Sequence, residues 1–389
     1  MSQAPQRLVR PPFLRRFEGA ERHATWLELF FDLCFVAAIA ALASELHSDP
    51  TAAGVGRFVG LFIPVWWAWM GFTWYASAFD NDDTPTRLAF LAAMLGVIAL
   101  AANVGSAWNG ATEGFALAYG VMFLLLSALF LRARHHAGAA RAFAARYALG
   151  YGLGGALWIL SASLPAPQRY WLWVLAQLIL MTTPVLAVVA YDRPAYDEAH
   201  IPERYGLFTI IVLGESIVVI AVGFGDAGAG ASAVGVAAAG FVIAASIWWV
   251  YFDFVRSQAL SRDRLSASFV WGYGHLLVFA GIAAASVGVE LAVEAAAHEE
   301  ALDEFVRVAI GGGLAAYLLA IAAIQAISLR RWDVILTART TAIVVVVVTC
   351  VTQTSPPITV VVLAVTMAME ACFEVAQARL LKTEDHRGP

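Results

Sequence analysis

Charge is what this sequence has least of. Only 14% of its 389 residues are Asp, Glu, Lys or Arg, against 61% hydrophobic, and the mean hydropathy is +0.73. Soluble domains usually carry about 25% charged residues, so a water-soluble globular class is excluded. Cysteine is scarce too. Cys34, Cys350 and Cys372 all lie in apolar segments without CxxC spacing, which fits small core residues rather than a disulfide framework. Deep in an apolar run there is one histidine, His275, whereas a six-coordinate membrane haem would need two. Four-ligand metal spacing is missing, His135-His136 being an isolated pair in a basic loop, and so is any nucleophile motif. Neither a cofactor nor a metal is expected, and nucleic acid is not an expected partner. A cleavable signal peptide is not expected either, because the basic lead from Arg7 to Arg22 runs straight into a full-length apolar span.

What is present in abundance is apolar runs near twenty residues, long enough for a hydrocarbon core of about 30 Å. They predict an all-α polytopic membrane protein embedded in the lipid bilayer. Twelve spans are expected, at about 25–46, 56–79, 86–108, 113–131, 142–163, 169–190, 205–225, 231–255, 265–293, 304–329, 335–354 and 357–378. The ninth is long, so it tilts or its last turns leave the membrane. Pro64 and Pro184 fall inside spans, and Pro356-Pro357 marks a turn. With the N-terminus in the cytoplasm, 21 of the 24 Lys and Arg residues fall on that side and only Arg57, Arg169 and Arg307 fall outside. This asymmetry places both termini in the cytoplasm.

The halves also repeat. Glu21-Arg22 and Trp66-Trp67 recur as Glu203-Arg204 and Trp248-Trp249 at one offset of 182, and Asp32 has Glu215 as its approximate counterpart. Six spans per half make the halves parallel repeats. The expected organisation is a basic cytoplasmic segment 1–24, a first six-helix repeat 25–190, a linker 191–203, a second repeat 204–379 and a tail 380–389.

Acids at membrane depth are costly and therefore informative. Glu28 and Asp32 lie four residues apart, on one helix face. Two ionised carboxylates there cost about 5–7 kcal/mol by simple addition of insertion values. The other candidates are Glu215, Asp253, His275, and Glu370 with Glu374 on one face of the last span. In a bilayer such groups face the bundle interior or a water-filled cavity. The set suits protons or small cations better than anions. Arg22, Arg204 and Arg256 are the candidate charge partners, Arg256 standing three residues from Asp253. Gly274, Gly281 and Gly288, and Gly150 with Gly154, make smooth stripes for close helix packing. Asp80-Asn81-Asp82-Asp83 reads as a solvated turn.

Three stretches resemble the bacterial low temperature requirement A family: Leu27-Glu28-Leu29-Phe30-Phe31-Asp32-Leu33; Pro202-Glu203-Arg204-Tyr205-Gly206-Leu207 running into Leu213-Gly214-Glu215-Ser216; and Trp248-Trp249-Val250-Tyr251-Phe252-Asp253. Tyr273-Gly274-His275 adds a fourth, departing from the pattern at Gly274, where a tyrosine is expected. The resemblance implies a multi-pass protein of the bacterial inner membrane connected with growth in the cold, and brings no reaction, substrate or cofactor. A fainter likeness, to the endolysosomal potassium channel family, rests on Phe31-Asp32 against Gly214-Glu215.

Three functions remain open on these residues. One is a transporter or channel binding protons or cations at Glu28, Asp32 and Glu215 between the repeats. Another is a structural or sensory protein whose acids are paired with Arg22, Arg204 and Arg256. The third is a membrane enzyme using His275 and a carboxylate as an acid–base pair on a lipid-soluble substrate. An oligomer is compatible with the sequence but not evident in it.

Overall fold

The computed structural model describes residues 11–14, 23–136, 138–189, 200–226, 230–255, 265–329 and 333–385. Apart from a two-residue ladder pairing β1 (Phe13–Leu14) with β2 (Phe79–Asp80), the regular structure among these residues is helical. The helices are α1 (Trp26–Ser48), α2 (Ala52–Ala78), α3 (Thr84–Ala102), α4 (Val104–Trp108), α5 (Glu113–Arg134), α6 (Arg141–Ser161), α7 (Gln168–Val189) and α8 (His200–Asp226). They continue with α9 (Ala231–Val250), α10 (Leu265–Ala297), α11 (Glu304–Leu329), α12 (Val334–Thr352) and α13 (Pro356–Asp385).

Among the described residues ten helices are long and apolar enough to cross a membrane. All twelve expected spans are helical. The two outside the ten are α6, diluted by Arg146, two tyrosines and its glycines, and α8. The expected third span is interrupted: Asn103 ends α3, its amide side chain bonding back to the Ala99 carbonyl at 2.8 Å, and the short α4 follows. A π-helical turn, Tyr251–Val255, continues α9.

The helices present apolar residues outward as well as inward. Leu88, Leu91, Leu95 and Ile98 form an exposed stripe on α3, and Val344, Val347, Val348 and Val351 form one on α12. In water such stripes would be buried. Facing hydrocarbon they need no cover, because lipid tails are as apolar as leucine.

The chain divides into two compact units, residues 1–45 with 60–207 and residues 46–59 with 208–389. In the first, α5 packs on α3 and α6, and α6 on α7. Its core is aromatic: Phe130 stacks on Tyr147 at 4.5 Å, and Tyr119 meets Trp158 edge-on at 4.5 Å. The acidic turn is less solvated than its sequence suggests. Asp83 is buried, caps α3 through the Thr86 amide at 3.1 Å and pairs with Arg132 of α5. In the second unit, α10 packs on α9, α11 and α13. A Cβ added to Gly281 would lie 2.6 Å from the Gly313 carbonyl oxygen, and one on Gly313 would lie 2.6 Å from that of Gly281. This approach of α10 to α11 backbone requires glycine on both sides. The two tryptophan pairs of the sequence repeat differ in setting: Trp66 and Trp67 are buried, whereas Trp248 and Trp249 are each 47% exposed.

Candidate functional site

The first unit buries a cluster built from two helix faces. On α1, Glu28 and Asp32 are one turn apart; on α8, His200 and Arg204 are one turn apart, and all four are buried. The start of α1 explains how Glu28 is held. Thr25-Trp26-Leu27-Glu28 is a capping box: the Glu28 amide donates to Thr25 Oγ1 at 3.3 Å, and the Thr25 amide donates to Glu28 Oε2 at 2.7 Å. One carboxylate oxygen thus closes the helix end, and the other faces the bases.

Arg204 uses its fork on both acids. Nε donates to Asp32 Oδ2 at 3.0 Å and Nη2 to Asp32 Oδ1 at 2.5 Å, a bidentate pair, while Nη1 lies 3.2 Å from Glu28 Oε1. Asp32 Oδ1 also accepts from Trp69 Nε1 at 2.7 Å, and Arg204 Nη2 reaches Thr73 Oγ1 at 3.4 Å. Tyr205 meets the Trp69 ring edge-on at 4.8 Å. His200 Nε2 stands 3.5 Å from the same Glu28 oxygen that faces Arg204. The charge balance follows directly. With neutral His200 and both acids ionised the cluster carries −1; one added proton, on His200 or on a carboxyl, makes it neutral.

The second unit repeats the scheme with different helices. Glu370 and Glu374, one turn apart on α13, both meet the fully buried Arg339 of α12. Arg339 Nε donates to Glu370 Oε1 at 3.2 Å, Nη2 pairs with Glu374, and Nη1 donates to the Gln325 carbonyl oxygen. Gln325 Nε2 in turn reaches Asp333 at 3.3 Å, and Asp333 caps α12 by accepting from the Leu336 amide at 2.9 Å. Again two acids share one arginine.

The remaining expected residues lie apart from these clusters. His275 is buried, and its Nδ1 is 2.6 Å from the Trp271 carbonyl. A carbonyl only accepts, so Nδ1 carries the proton and Nε2 accepts from the Tyr251 hydroxyl at 3.0 Å. That partner is a phenol, not the carboxylate an acid–base pair would use. Asp253 is exposed and accepts from Trp249 Nε1 at 2.8 Å. Its expected partner Arg256, like Arg22 and the side chain of Glu215, lies outside the described residues. A cavity of about 360 Å³ in the second unit, between α11 and α12, is lined by Glu304, Arg307, Gly311, Val347 and Cys350 and includes none of the expected site residues.

Sequence reasoning named Glu28 and Asp32 as acids on one face and Arg204 as one of three candidate charge partners, beside Arg22 and Arg256, and it grouped the acids with Glu215. It missed His200, Trp69 and the Arg339–Gln325 pair. The usable signals were the T-x-x-E box at Thr25 and the four-residue spacing of His200 and Arg204, which matches that of the acids.

Comparison with known proteins gives the family. The model of the bacterial low temperature requirement A protein family matches residues 23–369. An uncharacterized protein of Rhizobium meliloti (strain 1021) is 28% identical over 297 residues, covering 72% of this chain and 72% of its own length. The chain is therefore a multi-pass membrane protein that belongs to the bacterial low temperature requirement A family.

Proposed function

We propose that this protein moves protons across the bacterial inner membrane, as a transporter or channel, and that the Glu28–Asp32–His200–Arg204 cluster is where a proton is taken up and released. The observation that carries this is the pairing of two buried acids with one arginine and one histidine. An imidazole, which can take up and release one proton, sits against a carboxylate that Arg204 does not satisfy alone. Arg204 also selects the species. A guanidinium about 3 Å from both acids already occupies the place an alkali cation would take, whereas a proton needs only one oxygen. Glu370 and Glu374 on Arg339 supply a second pair of acids sharing one arginine, with Gln325 rather than a histidine beside them. Glu215, at the matching place in the second repeat, and Asp253 and His275 further along it, belong to the same proposal. In this reading all twelve long helices span, both termini are cytoplasmic, and the halves are parallel six-helix repeats; the packing of α6 between α5 and α7 and the distribution of arginines support it.

The test is reconstitution into liposomes with a pH-sensitive dye inside and an imposed pH gradient. Proton flux above that of protein-free vesicles is expected, and it should be lost in Glu28→Gln and in His200→Gln. Flux unchanged in both variants would remove the cluster from the mechanism.

One observation favours a second reading. Arg204 and Trp69 together occupy both oxygens of Asp32, as they would in a structural lock. A non-transporting structural or sensory protein would show no flux in the wild type while still depending on Arg204 for stability.

A further inference from the structure

The second unit contains a group of potential metal ligands that the proton clusters do not use. His47 sits in the last turn of α1, and Glu290 and Glu294 sit one turn apart on α10. One ligand atom from each of the three lies within 4.8 Å of the other two, and His47 Nε2 is already 3.1 Å from Glu294 Oε1. Two cis ligands on a divalent ion at about 2.1 Å each stand about 3 Å apart, so this pair is set at bonding geometry. All three residues are half-buried, which limits both their rotamer freedom and their hydration.

Charge and position point the same way. Two carboxylates held this close repel each other, and a singly protonated His47 answers only one of them. A divalent cation answers both. The long α10 accounts for access: 33 residues rise about 50 Å, well beyond a hydrocarbon core of about 30 Å. Its last turns, with Glu290 and Glu294, run into the polar segment 298–304 and are long enough to reach an aqueous face. His47 is at the opposite end of α1 from Glu28, about 28 Å along the helix.

We propose that His47, Glu290 and Glu294 form a divalent transition-metal site that pins the last turn of α1 to α10. One imidazole nitrogen and two carboxylate oxygens suit Zn²⁺ or Mn²⁺, with water completing the shell. The nitrogen disfavours Mg²⁺ and Ca²⁺, which take oxygen ligands. The three ligands come from two helices and are separated by more than 240 positions in the sequence, so they form a site only in the folded unit.

The experiment is calorimetric titration of the purified, tag-free full-length protein with ZnCl₂ and, separately, MnCl₂. One equivalent should bind, and His47→Ala and Glu294→Gln should each weaken it by about 100-fold or more, at or beyond the range for outer-shell partners. His135→Ala with His136→Ala should leave the equivalent in place. Glu294→Gln is nearly isosteric and guards against a folding defect, checked by comparing thermal unfolding of each variant in EDTA. A cobalt(II) spectrum without a thiolate charge-transfer band is expected, since the free cysteines Cys34, Cys350 and Cys372 take no part. The proposal is overturned if the wild type binds no equivalent of either ion, if His47→Ala and Glu294→Gln both bind as the wild type does, or if the cobalt spectrum shows thiolate ligation.

Discussion

Replacing Arg204 by methionine isolates what the guanidinium does in the first unit. The substitution keeps a long unbranched side chain and removes the cation that two buried carboxylates share. Three contacts to carboxylates disappear, the bidentate pair to Asp32 at 2.5 and 3.0 Å and the contact to Glu28 at 3.2 Å, together with the bond to Thr73 at 3.4 Å. Breaking a buried pair by removing one partner costs about 3–5 kcal/mol, because the surviving charge is left uncompensated. Here two charges survive, and the upper part of that range applies. For a cooperative unit of roughly 150–250 residues, 3–5 kcal/mol lowers the unfolding midpoint by about 6–20 °C. Thermal unfolding in detergent, followed by tryptophan fluorescence, measures it directly, with Trp69 in contact with Asp32 as a reporter. Adding Asp32→Asn and Glu28→Gln to Arg204→Met should recover most of the loss, since neutral amides no longer require the cation. Acidification should narrow the deficit of the single variant for the same reason. If Arg204→Met unfolds at the wild-type temperature, or if the triple variant is no more stable than the single one, the cluster is not held together by charge.

Two further outcomes test the rest of the fold. Arg339→Met should cost about 3–5 kcal/mol on the same grounds, and Glu370→Gln with Glu374→Gln in the same chain should restore most of it, read by the same unfolding assay. Gly281→Val places a side chain 2.6 Å from the Gly313 carbonyl and should destabilise by about 1–3 kcal/mol or prevent folding, seen as a lower unfolding midpoint or a lost monodisperse peak on size exclusion; wild-type behaviour would refute the close backbone approach.

How much of this was legible in the sequence depends on how each residue announces itself. Helical spans are readable because a run of about twenty apolar residues matches the thickness of a bilayer core and is costly to keep in water. Glu28 and Asp32 were readable because charge inside such a run demands an answer, and Arg204 because it stands in the Glu-Arg pair that recurs before the seventh span. His200 was not, since it follows a polar stretch that reads as a linker. Trp69 looked like one more packing aromatic, its indole N–H being invisible to composition. Arg339, Glu370 and Glu374 all sit near span ends, where long side chains can snorkel to water, so nothing in their positions required the buried pairing that forms. Asp253 bonds Trp249 one turn earlier on its own helix, an indole N–H contact that the i, i+3 spacing to Arg256 does not announce. The break at Asn103 leaves hydrophobic periodicity intact, because its side chain bonds its own helix.

The two acid pairs differ in one respect that concerns how the protein is made. Asp32 and Arg204 are 172 residues apart, whereas Glu370 follows Arg339 by 31. At about 5–20 residues per second of synthesis, α1 waits about 10–35 s for its arginine. For the same rates, Glu370 is made about 2–6 s after a cation that is already in place. During the longer interval α1 must carry Glu28 and Asp32 protonated, at the membrane edge or sheltered by the insertion machinery. Neutralising the acids of α1 is therefore the slower of the two charge pairings, and delaying α8 should leave buried acids unanswered for longer than delaying α13.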